Sequence, residues 1–441
     1  MTSDSNFVEL FRGAAPYIYA HNDKTFVLQI GGDVVASEKF SHLIHDLALL
    51  NALGIKLVVV FGVRPQIDEL LQERNISPKY SESLRITDEA SLSSVKQAVG
   101  DVKIQIEALL SMGLPNSSVP KADIKVTSGN YVTGKPYGVI EGVDFKLTGR
   151  VRSIETETIQ KRLESGEIVL VTPLGYSSTG EIFNLSSIEV ATEVAINLKA
   201  DKLIMLSLTK ELNDVNGKII RQLTCEQAKD KLGTVYSNID ESPATALALG
   251  VKACESGVKR VHYIDKDIDG GILYELFTLD GVGTLLSNTP FDKVRPATVN
   301  DVGGIYELII PLVKQGVLVE RSIEKIEAEI NDFKVLVRDE NVIACAALHN
   351  YQNGEIMEIA CMVVHPDYQN KSMGDLLYKS LESLAIENGA KTIIVLTTQT
   401  AHWFIERGFK ETDIKSLPVE KKDIYDYQRN SKTLIKYLNK N

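Results

Sequence analysis

The sequence predicts an α/β domain built on a mostly parallel sheet, followed by a smaller α+β domain. At 441 residues the chain is longer than one typical core, so two or three domains are expected. From Phe26 to Leu286, short apolar runs bounded by Gly or Pro alternate with amphipathic stretches, which is typical of strands covered on both faces. After Val294, strands and helices mix without strict alternation, which indicates a second fold class.

A series of β-rich runs predicts the sheet of the first domain. These runs are FVLQI, LVVVF, IVLVTPL, KLIMLSL and RVHYID. A glycine-dense polar segment at Ser128–Arg150 predicts a hairpin-like insert between them. The expected bounds are residues 1–286 for this domain, 287–293 for a short polar linker and 294–441 for the second domain.

The second domain opens with Thr298 and Asp301 at capping-box spacing. An apolar stripe at the helical period follows, formed by Ile305, Leu308, Ile309 and Leu312. The further predicted elements are helix Ser322–Ile330, strand Lys334–Val337, a hairpin through Asn350–Glu355, strand Ile356–Val364, helix Gly374–Glu387, strand Thr392–Leu396 and helix Ala401–Arg407.

Composition excludes several classes of function. A net charge of -11 argues against a nucleic-acid partner, because a phosphate backbone selects clustered Lys and Arg. Neither a secretory signal nor an apolar run near the roughly eighteen residues of a membrane span is present, so a cytoplasmic protein without membrane association is expected. No CxxC pair occurs, so we expect buried thiols and no metal site at Cys225, Cys254, Cys345 and Cys361.

The clearest chemical signal lies in Glu358–Leu377, EIACMVVHPDYQNKSMGDLL. An apolar strand runs into a polar, glycine-containing loop, and a helix begins directly after it. Free N–H groups at the positive end of the helix dipole form a site for a pyrophosphate. An ordinary strand–turn–helix connection has the same pattern, so the segment alone leaves both interpretations open.

Three ordered motifs resemble the GNAT superfamily of N-acetyltransferases. Its coenzyme A loop, Q/R-x-x-G-x-G/A, is matched by Gln369 and Gly374, with Ser372 in place of the first glycine. The opening VRPAT and the closing WFIERGF are similar to the superfamily's first and last elements. The resemblance implies an acetyl-CoA co-substrate bound by the loop and the preceding strand, at Cys361, Met362, Val363, Gln369, Asn370, Lys371, Ser372, Met373 and Gly374.

Attack of an amine on a thioester needs a base, an oxyanion donor and a partner for the leaving thiolate. Glu358 is the candidate base, because its strand neighbours of the same parity are apolar and indicate an inward-facing carboxylate. Backbone N–H groups around Cys361 and Met362 are the candidate oxyanion donors, and the Cys361 thiol is interpreted as a core group. Thr397, just past the next predicted strand, is the candidate hydrogen-bond donor to the sulfur.

Two arginines are candidates for binding the carboxylates of the amine acceptor, although any single arginine is more often a surface residue. Arg321 lies in LVERS and Arg429 in YDYQRNSK. Both segments resemble glutamate-binding positions of the N-acetylglutamate synthase family, which implies Arg321, Arg429 and Ser431 as glutamate contacts. The resemblance implies that acetyl-CoA and L-glutamate give N-acetyl-L-glutamate and CoA, the first step of arginine biosynthesis.

The first domain resembles the amino acid kinase family, acetylglutamate kinase in particular, but its catalytic positions differ. Gln29 stands where those kinases have a lysine, and the second phosphate loop reads FGVRPQ instead of HGGGPQ. Ile188 stands near the expected aspartate, and no lysine occurs between Lys231 and Lys252. Phosphoryl transfer depends on positioned positive charge, so the resemblance implies a non-catalytic domain.

The kinase resemblance also implies an arginine-sensing role. FRGAAPYI near the start is similar to the N-terminal helix of arginine-sensitive acetylglutamate kinases, in which that helix interlaces subunits. A homo-oligomer, a hexamer, is therefore expected, with feedback regulation by L-arginine. The implied arginine contacts are Tyr17, Lys202, His262, Glu275 and Gly281. Glu275 would pair with the guanidinium, whereas a lone histidine such as His262 is more often structural.

Two further functions stay open. A bifunctional synthase and acetylglutamate kinase is disfavoured by Gln29 and Ile188. A non-catalytic arginine-binding regulator is disfavoured by the retained Glu358, Gln369 and Gly374.

Overall fold

A computed structural model describes residues 2–81, 84–112, 124–207, 212, 218–233, 243–278, 281–288, 293–338, 341–369, 373–423, 425, 427 and 429–438. The chain forms two compact units, Met1–Pro290 and Phe291–Asn441. Among the described residues, no helix has the length and apolar character needed to cross a membrane.

The first unit alternates helices and strands, as its sequence predicts. Its described helices are α1 (Thr2–His21), α2 (Gly32–Val35), α3 (Phe40–Ala52), α4 (Arg64–Glu73), α5 (Glu89–Ser111), α6 (Thr156–Glu164), α7 (Ser187–Leu198), α8 (Cys225–Leu232), α9 (Pro243–Glu255) and α10 (Gly271–Phe277). Its described strands are β1 (Thr25–Ile30), β2 (Lys56–Phe61), β3 (Lys79–Ser81), β4 (Leu84–Ile86), β5 (Val126–Ser128), β6 (Val132–Pro136), β7 (Val139–Ile140), β8 (Val143–Asp144), β9 (Gly149–Ile154), β10 (Ile168–Val171), β11 (Leu174–Tyr176), β12 (Ile182–Asn184), β13 (Lys202–Ser207), β14 (Gln222–Thr224), β15 (Arg260–Asp265) and β16 (Thr284–Ser287).

The main sheet of this unit confirms the predicted three-layer α/β fold. Its described strands have the order β14-β16-β15-β13-β1-β2-β10-β5, and neighbours are parallel except β15 and β16. Side chains of β1 alternate between two cores: Val27 packs in one, and Phe26 and Leu28 pack in the other. Burial on both faces explains why these strands read as continuous apolar runs.

The glycine-dense insert forms antiparallel structure, as expected. Strands β6 and β9 pair antiparallel within a second sheet of order β12-β11-β6-β9, and β7 pairs with β8 as a separate hairpin.

The second unit has the predicted α+β architecture. Its described helices are α11 (Val302–Lys314), α12 (Ile323–Ala328), α13 (Met373–Glu387), α14 (Ala401–Ile405) and α15 (Val419–Lys422). Its described strands are β17 (Lys293–Pro296), β18 (Phe333–Arg338), β19 (Asn341–Tyr351), β20 (Ile356–Val364), β21 (Thr392–Thr397), β22 (Lys410–Thr412) and β23 (Lys432–Tyr437). The sheet order is β17-β18-β19-β20-β21-β23-β22, with β20 and β21 as the parallel pair among antiparallel neighbours.

The start of the second unit has the predicted cap and apolar stripe. Thr298 and Asp301 form the capping box, and Asp301 also accepts from Arg295 at 2.7 Å. Ile305 and Ile309 are buried against the sheet, where Phe333 and Val335 lie in the same core.

The structure departs from the predicted elements in several places. Helix α12 is shorter than predicted, because the Ser322 side chain caps it by accepting from the Lys325 N–H and a 3-10 turn follows at Ile330–Asp332. Strand β19 was not predicted as a continuous strand. Ser287 and Lys293, at the two ends of the predicted linker, belong to strands, whereas residues 289–292 lie outside the described part of the chain.

Candidate functional site

The second unit has a gap between two neighbouring strands. β20 and β21 pair only at their first residues, from Ile356 with Thr392 to Glu358 with Ile394. Both strands continue beyond this point, β20 to Val364. Along the gap, their backbone N–H and C=O groups have no ladder partner across the divide. Unpaired backbone groups favour an extended ligand with amides of its own, such as the pantetheine arm of coenzyme A.

A β-bulge in β20 lies beside this gap. Cys345 pairs with Val363 and Ala347 pairs with Ala360, so two residues of β20 oppose one residue of β19. Cys361, the first residue of the bulge, has a φ of 53°, in the left-handed region. A bulge turns backbone N–H groups away from the ladder, so the predicted oxyanion donors at Cys361 and Met362 lie where the strand is distorted.

Glu358 is the last β20 residue to pair with β21, and its side chain is buried, with 3% exposed. The Lys421 ammonium lies 2.8 Å from Oε1, and the Tyr351 hydroxyl donates to Oε2 at 3.0 Å. Burial, followed by the nearby Glu358 charge, raises the pKa of Tyr351, so this phenol keeps its proton. The carboxylate predicted as a base is therefore buried and charge-compensated at the mouth of the gap. The sequence interpretation missed Lys421 and Tyr351, which lie on a separate helix and a separate strand.

The two candidate arginines lie near the bulge. Arg321 donates from Nη1 to Cys361 Sγ at 2.6 Å and lies 3.6 Å from Glu329 Oε2. Arg429 donates to the Val317 carbonyl, and its charge acts on the nearby Cys361 thiol. Glu329, which the sequence interpretation did not single out, gives this cluster a balancing negative charge.

The Cys361 thiol lacks the lowered pKa of a nucleophilic cysteine. Burial raises its pKa, although the neighbouring arginines oppose the shift, so the thiol form predominates at neutral pH. This agrees with its interpretation as a core residue, since Cys361 lies in the same apolar core as Ile305. Ser431 lies farther along the same segment as Arg429, and its backbone carbonyl accepts from the Tyr425 hydroxyl at 2.8 Å.

The predicted coenzyme loop connects β20 to the first turn of α13. Gln369 turns back and donates from Nε2 to the Val364 carbonyl at 3.1 Å. Gly374 lies in the first turn of α13, where a Cβ atom would be 3.4 Å from the Trp403 ring. The Arg407 guanidinium stacks on Trp403 with 3.6 Å between its Cζ and the ring centroid. Predicted contacts Asn370, Lys371 and Ser372 lie outside the described residues.

The start of α13 fits the phosphate groups of a coenzyme. The helix has 15 residues and begins at Met373, so its first N–H groups lack intrahelical partners. Across the gap, Thr397 Oγ1 accepts from the Thr400 N–H at 3.0 Å and lies 2.8 Å from Thr400 Oγ1. The Thr397 hydroxyl thus holds the turn before α14, and its role toward a leaving sulfur stays a prediction.

In the first unit, uncharged residues stand where the kinase resemblance implies a lysine and an aspartate. The Gln29 side chain donates to Ser187 Oγ at 3.1 Å, and both residues are buried. Ile188 packs into an apolar core. A cleft of about 580 Å³ lies nearby; Arg64 and Arg85 line it, and no lysine is among its described lining residues.

Four of the five predicted arginine contacts form one buried cluster. His262 Nδ1 lies 2.7 Å from Glu275 Oε1, and the Lys202 ammonium lies 3.5 Å from His262 Nε2. Glu275 Oε2 accepts from the Val282 and Gly283 N–H groups at 2.8 Å each. Gly281 has a φ of 57°, and a Cβ there would lie 2.3 Å from Glu275 Oε2, so a larger residue would be strained and would displace the Glu275 carboxylate.

Burial controls the charges of this cluster. It lowers the pKa of His262 to about 4 and that of Lys202 to about 7. Burial disfavours the charged form of Glu275, but the hydrogen bonds from His262 and the backbone outweigh it and lower the pKa of Glu275 to about 2. The site therefore offers an ionised carboxylate beside a neutral imidazole. Tyr17 lies on α1, where its ring is 6.5 Å from that of His21.

His21 connects α1 to this cluster and was missed by the sequence interpretation. Its Nε2 lies 2.9 Å from the Leu276 carbonyl on α10. Burial, followed by the Lys202 charge, lowers the pKa of His21 to about 3. A histidine at the end of a helix gives no sequence signal for such a contact, because the partner lies far along the chain.

Comparisons with known proteins agree with both units. Residues 24–264 match the amino acid kinase family, and residues 306–409 match the acetyltransferase (GNAT) family. An amino-acid acetyltransferase of Proteus mirabilis is 45% identical over 438 residues, which are 99% of this chain and 99% of that protein. The amino-acid acetyltransferase of Yersinia pseudotuberculosis is 44% identical over 433 residues, covering 98% of each chain.

Two solved structures are similar over nearly the whole chain. N-acetylglutamate synthase from Neisseria gonorrhoeae complexed with coenzyme A and L-arginine has a TM-score of 0.89 and 33% identity, covering 98% of this chain and 100% of that chain. The same enzyme complexed with coenzyme A and N-acetyl-glutamate has a TM-score of 0.62 and 34% identity, with the same coverage. The chain therefore belongs to the amino-acid acetyltransferase family, whose members are N-acetyltransferases that use acetyl-CoA and carry a GNAT unit behind an amino acid kinase unit.

Proposed function

We propose that this enzyme transfers the acetyl group of acetyl-CoA to the α-amine of L-glutamate, giving N-acetyl-L-glutamate and CoA. The observation that supports this acceptor best is the pair Arg321 and Arg429 beside the bulge at Cys361, near the buried Glu358 carboxylate. The similar gonococcal enzyme is described with coenzyme A and N-acetyl-glutamate.

The proposed reaction is a direct attack of the amine on the thioester. Glu358 takes a proton from the substrate ammonium, directly or through water, and the free amine attacks the acetyl carbonyl. The N–C bond forms, and N–H groups around Cys361 and Met362 stabilise the oxyanion. The attached nitrogen then loses its second proton, the C–S bond breaks, and CoA leaves as a thiolate that this proton neutralises; the Thr397 hydroxyl is the proposed hydrogen-bond donor to the departing sulfur.

Proposed binding of glutamate uses its two carboxylates. Arg321 and Arg429 each present a planar guanidinium, which pairs bidentately with a carboxylate, and Ser431 adds a hydroxyl. In the structure, Arg321 contacts Cys361 Sγ and lies near Glu329. A dicarboxylate bound here would offer Arg321 its carboxylate oxygens, which are stronger hydrogen-bond acceptors than the Cys361 sulfur.

Coenzyme binding is proposed along the gap and at the start of α13. The extended arm would pair with β20 backbone from Cys361 to Val363, and the pyrophosphate would lie at the helix start. The residues proposed for the loop are Gln369, Asn370, Lys371, Ser372, Met373 and Gly374.

Regulation is proposed to come from L-arginine bound in the first unit. Glu275, ionised and buried beside His262 and Lys202, would receive the guanidinium, and Tyr17 and Gly281 complete the proposed site. The gonococcal enzyme is described in complex with L-arginine. Coupling requires that arginine bind the two functional states of the protein with different affinities.

The first unit is proposed to be non-catalytic, with domain bounds of 1–286, a linker at 287–293 and 294–441. Gln29 and Ile188 leave its phosphate-transfer positions without a lysine or a carboxylate. A homo-oligomer, a hexamer, is part of the proposal. Exposed apolar side chains of α1 support it, with Phe7 68% exposed and Phe11 59% exposed.

A thiol-release assay with each amino acid as acceptor tests the proposal. We expect CoA release above background with L-glutamate, and rates at least tenfold lower with L-glutamine, which lacks the side-chain carboxylate. The assay is repeated with L-arginine to measure the sign and size of its effect. Equal rates with glutamate and glutamine would contradict recognition of a dicarboxylate.

A further inference from the structure

The candidate base forms an ion pair with a distant part of the chain. Lys421 lies on the short helix α15, and its ammonium is 2.8 Å from Glu358 Oε1. Both side chains are largely buried, with 17% of Lys421 and 3% of Glu358 exposed. A buried carboxylate needs a charge partner, because burial without one strongly disfavours its ionised form.

The ion pair does not use every hydrogen-bond acceptor site of the Glu358 carboxylate. Each oxygen of an ionised carboxylate has two acceptor sites. Lys421 occupies one site on Oε1 and the Tyr351 hydroxyl occupies one on Oε2. Within the part of the chain that the structure describes, these are the polar contacts of the carboxylate, so each oxygen keeps one acceptor site for a substrate ammonium or a water molecule.

Apolar packing on both sides holds Lys421 in place. Leu417, before α15, and Tyr425, after it, are buried in one cluster with Ile394 of β21. Ile394 is the register partner of Glu358, so the segment that bears Lys421 is packed against the strand beside the base. This arrangement fixes the ammonium relative to the carboxylate.

We propose that Lys421 is a positioning residue whose ion pair holds the Glu358 carboxylate oriented toward the gap between β20 and β21. This inference rests on the proposed role of Glu358 as the base. The charged and titratable groups around this carboxylate are Lys421 and Glu420 on α15, Tyr351 and His349 on β19, and Glu329 beyond Tyr351. His349 is paired with Asp332 at 3.2 Å, so Lys421 is the cation in direct contact with the base.

The test compares Lys421→Met with Lys421→Arg in the full-length enzyme. Lys422→Met is the matched control, because Lys422 lies on the same helix without a described ion pair. We expect kcat of Lys421→Met to fall by at least about tenfold, because a misplaced base loses part of its contribution to the rate. KM for acetyl-CoA should stay within about twofold. Lys421→Arg should restore most of kcat, because the guanidinium can keep the ion pair.

A double-mutant cycle with Glu358→Gln separates this proposal from the one it rests on. If Lys421 acts through the base, adding Lys421→Met to Glu358→Gln costs little further activity. Wild-type activity in Glu358→Gln alone would overturn the assignment of the base. Two results would overturn the role of Lys421 while leaving Glu358 as the base. In one, Glu358→Gln is impaired but Lys421→Met keeps the wild-type kcat. In the other, the losses of the two single variants are fully additive in the double variant. Unchanged acetyl-CoA affinity, measured by calorimetry, shows that each variant is folded.

Discussion

Glu358 and Glu275 are two buried carboxylates with different surroundings. Glu358 has an ammonium on one oxygen and a phenol on the other, at the edge of a gap in the sheet. Glu275 is enclosed by an imidazole and two backbone N–H groups. A carboxylate with spare acceptor sites beside a gap suits proton transfer, whereas a carboxylate held by an imidazole and backbone N–H groups in a buried cluster suits recognition of a cation.

The arginine site is tested at this scale by Glu275→Gln. The amide oxygen can still accept from the Val282 and Gly283 N–H groups, but the negative charge that would pair with a guanidinium is gone. We expect kcat without arginine to stay within about twofold, while the arginine concentration for half-maximal effect rises by at least tenfold, since a charged pair is worth roughly 1.5–3 kcal/mol.

The matched control is Glu255→Gln in the same unit. Glu255 pairs with Lys229 at the surface, and 47% of its side chain is exposed. Its response to arginine should match that of the wild type. A wild-type arginine response in Glu275→Gln would place the effector site elsewhere.

At the scale of elements, the bulge in β20 distorts the strand at the proposed oxyanion donors, Cys361 and Met362. Cys361 takes the left-handed backbone conformation, which shifts the pairing register with β19 between Cys345 and Ala347. β-branched residues adopt this conformation only under strain, whereas glycine adopts it readily.

Substitutions at Cys361 test whether the bulge matters. Cys361→Gly should retain the bulge, and Cys361→Val should either lose it or bear a strain of roughly 1–3 kcal/mol. We expect Cys361→Val to lose kcat by at least about tenfold, because displaced oxyanion donors stabilise the transition state less well. Kinetics and thermal unfolding of both variants measure this.

Cys345→Val provides the comparison, because Cys345 is also buried but lies on β19, opposite the bulge rather than in it. It should keep most of the wild-type kcat. Equal activity of Cys361→Val and Cys345→Val would show that the bulge has no catalytic consequence.

Local sequence patterns predicted most elements but not how distant elements meet. The strand Ile356–Val364 and the helix after it follow from apolar runs and period, and the structure has both. The bulge at Cys361 depends on the register with β19, which no local pattern encodes. Lys421 and Tyr351 are ordinary polar residues in sequence, and they join Glu358 only through tertiary packing.

At the scale of the whole molecule, catalysis and regulation are assigned to different units. The described phosphate-transfer positions of the first unit carry Gln29 and Ile188, whereas its cluster around Glu275 is intact. A kinase-like fold can lose its chemistry and keep a binding site, because function depends on the site more than on the fold. The sequence predicted this division, because Gln29 and Ile188 depart from the kinase pattern whereas the implied arginine contacts, such as Glu275, are present.

The most direct test of acetyl transfer to glutamate is a rapid-quench, single-turnover reaction with labelled acetyl-CoA and excess enzyme. With L-glutamate present, we predict that the label passes from acetyl-CoA to N-acetyl-L-glutamate in one phase, with no acetylated protein at any time. Without glutamate, the label should stay on acetyl-CoA. Label on the protein before the product appears, or transfer to an amine other than that of glutamate, would contradict the account.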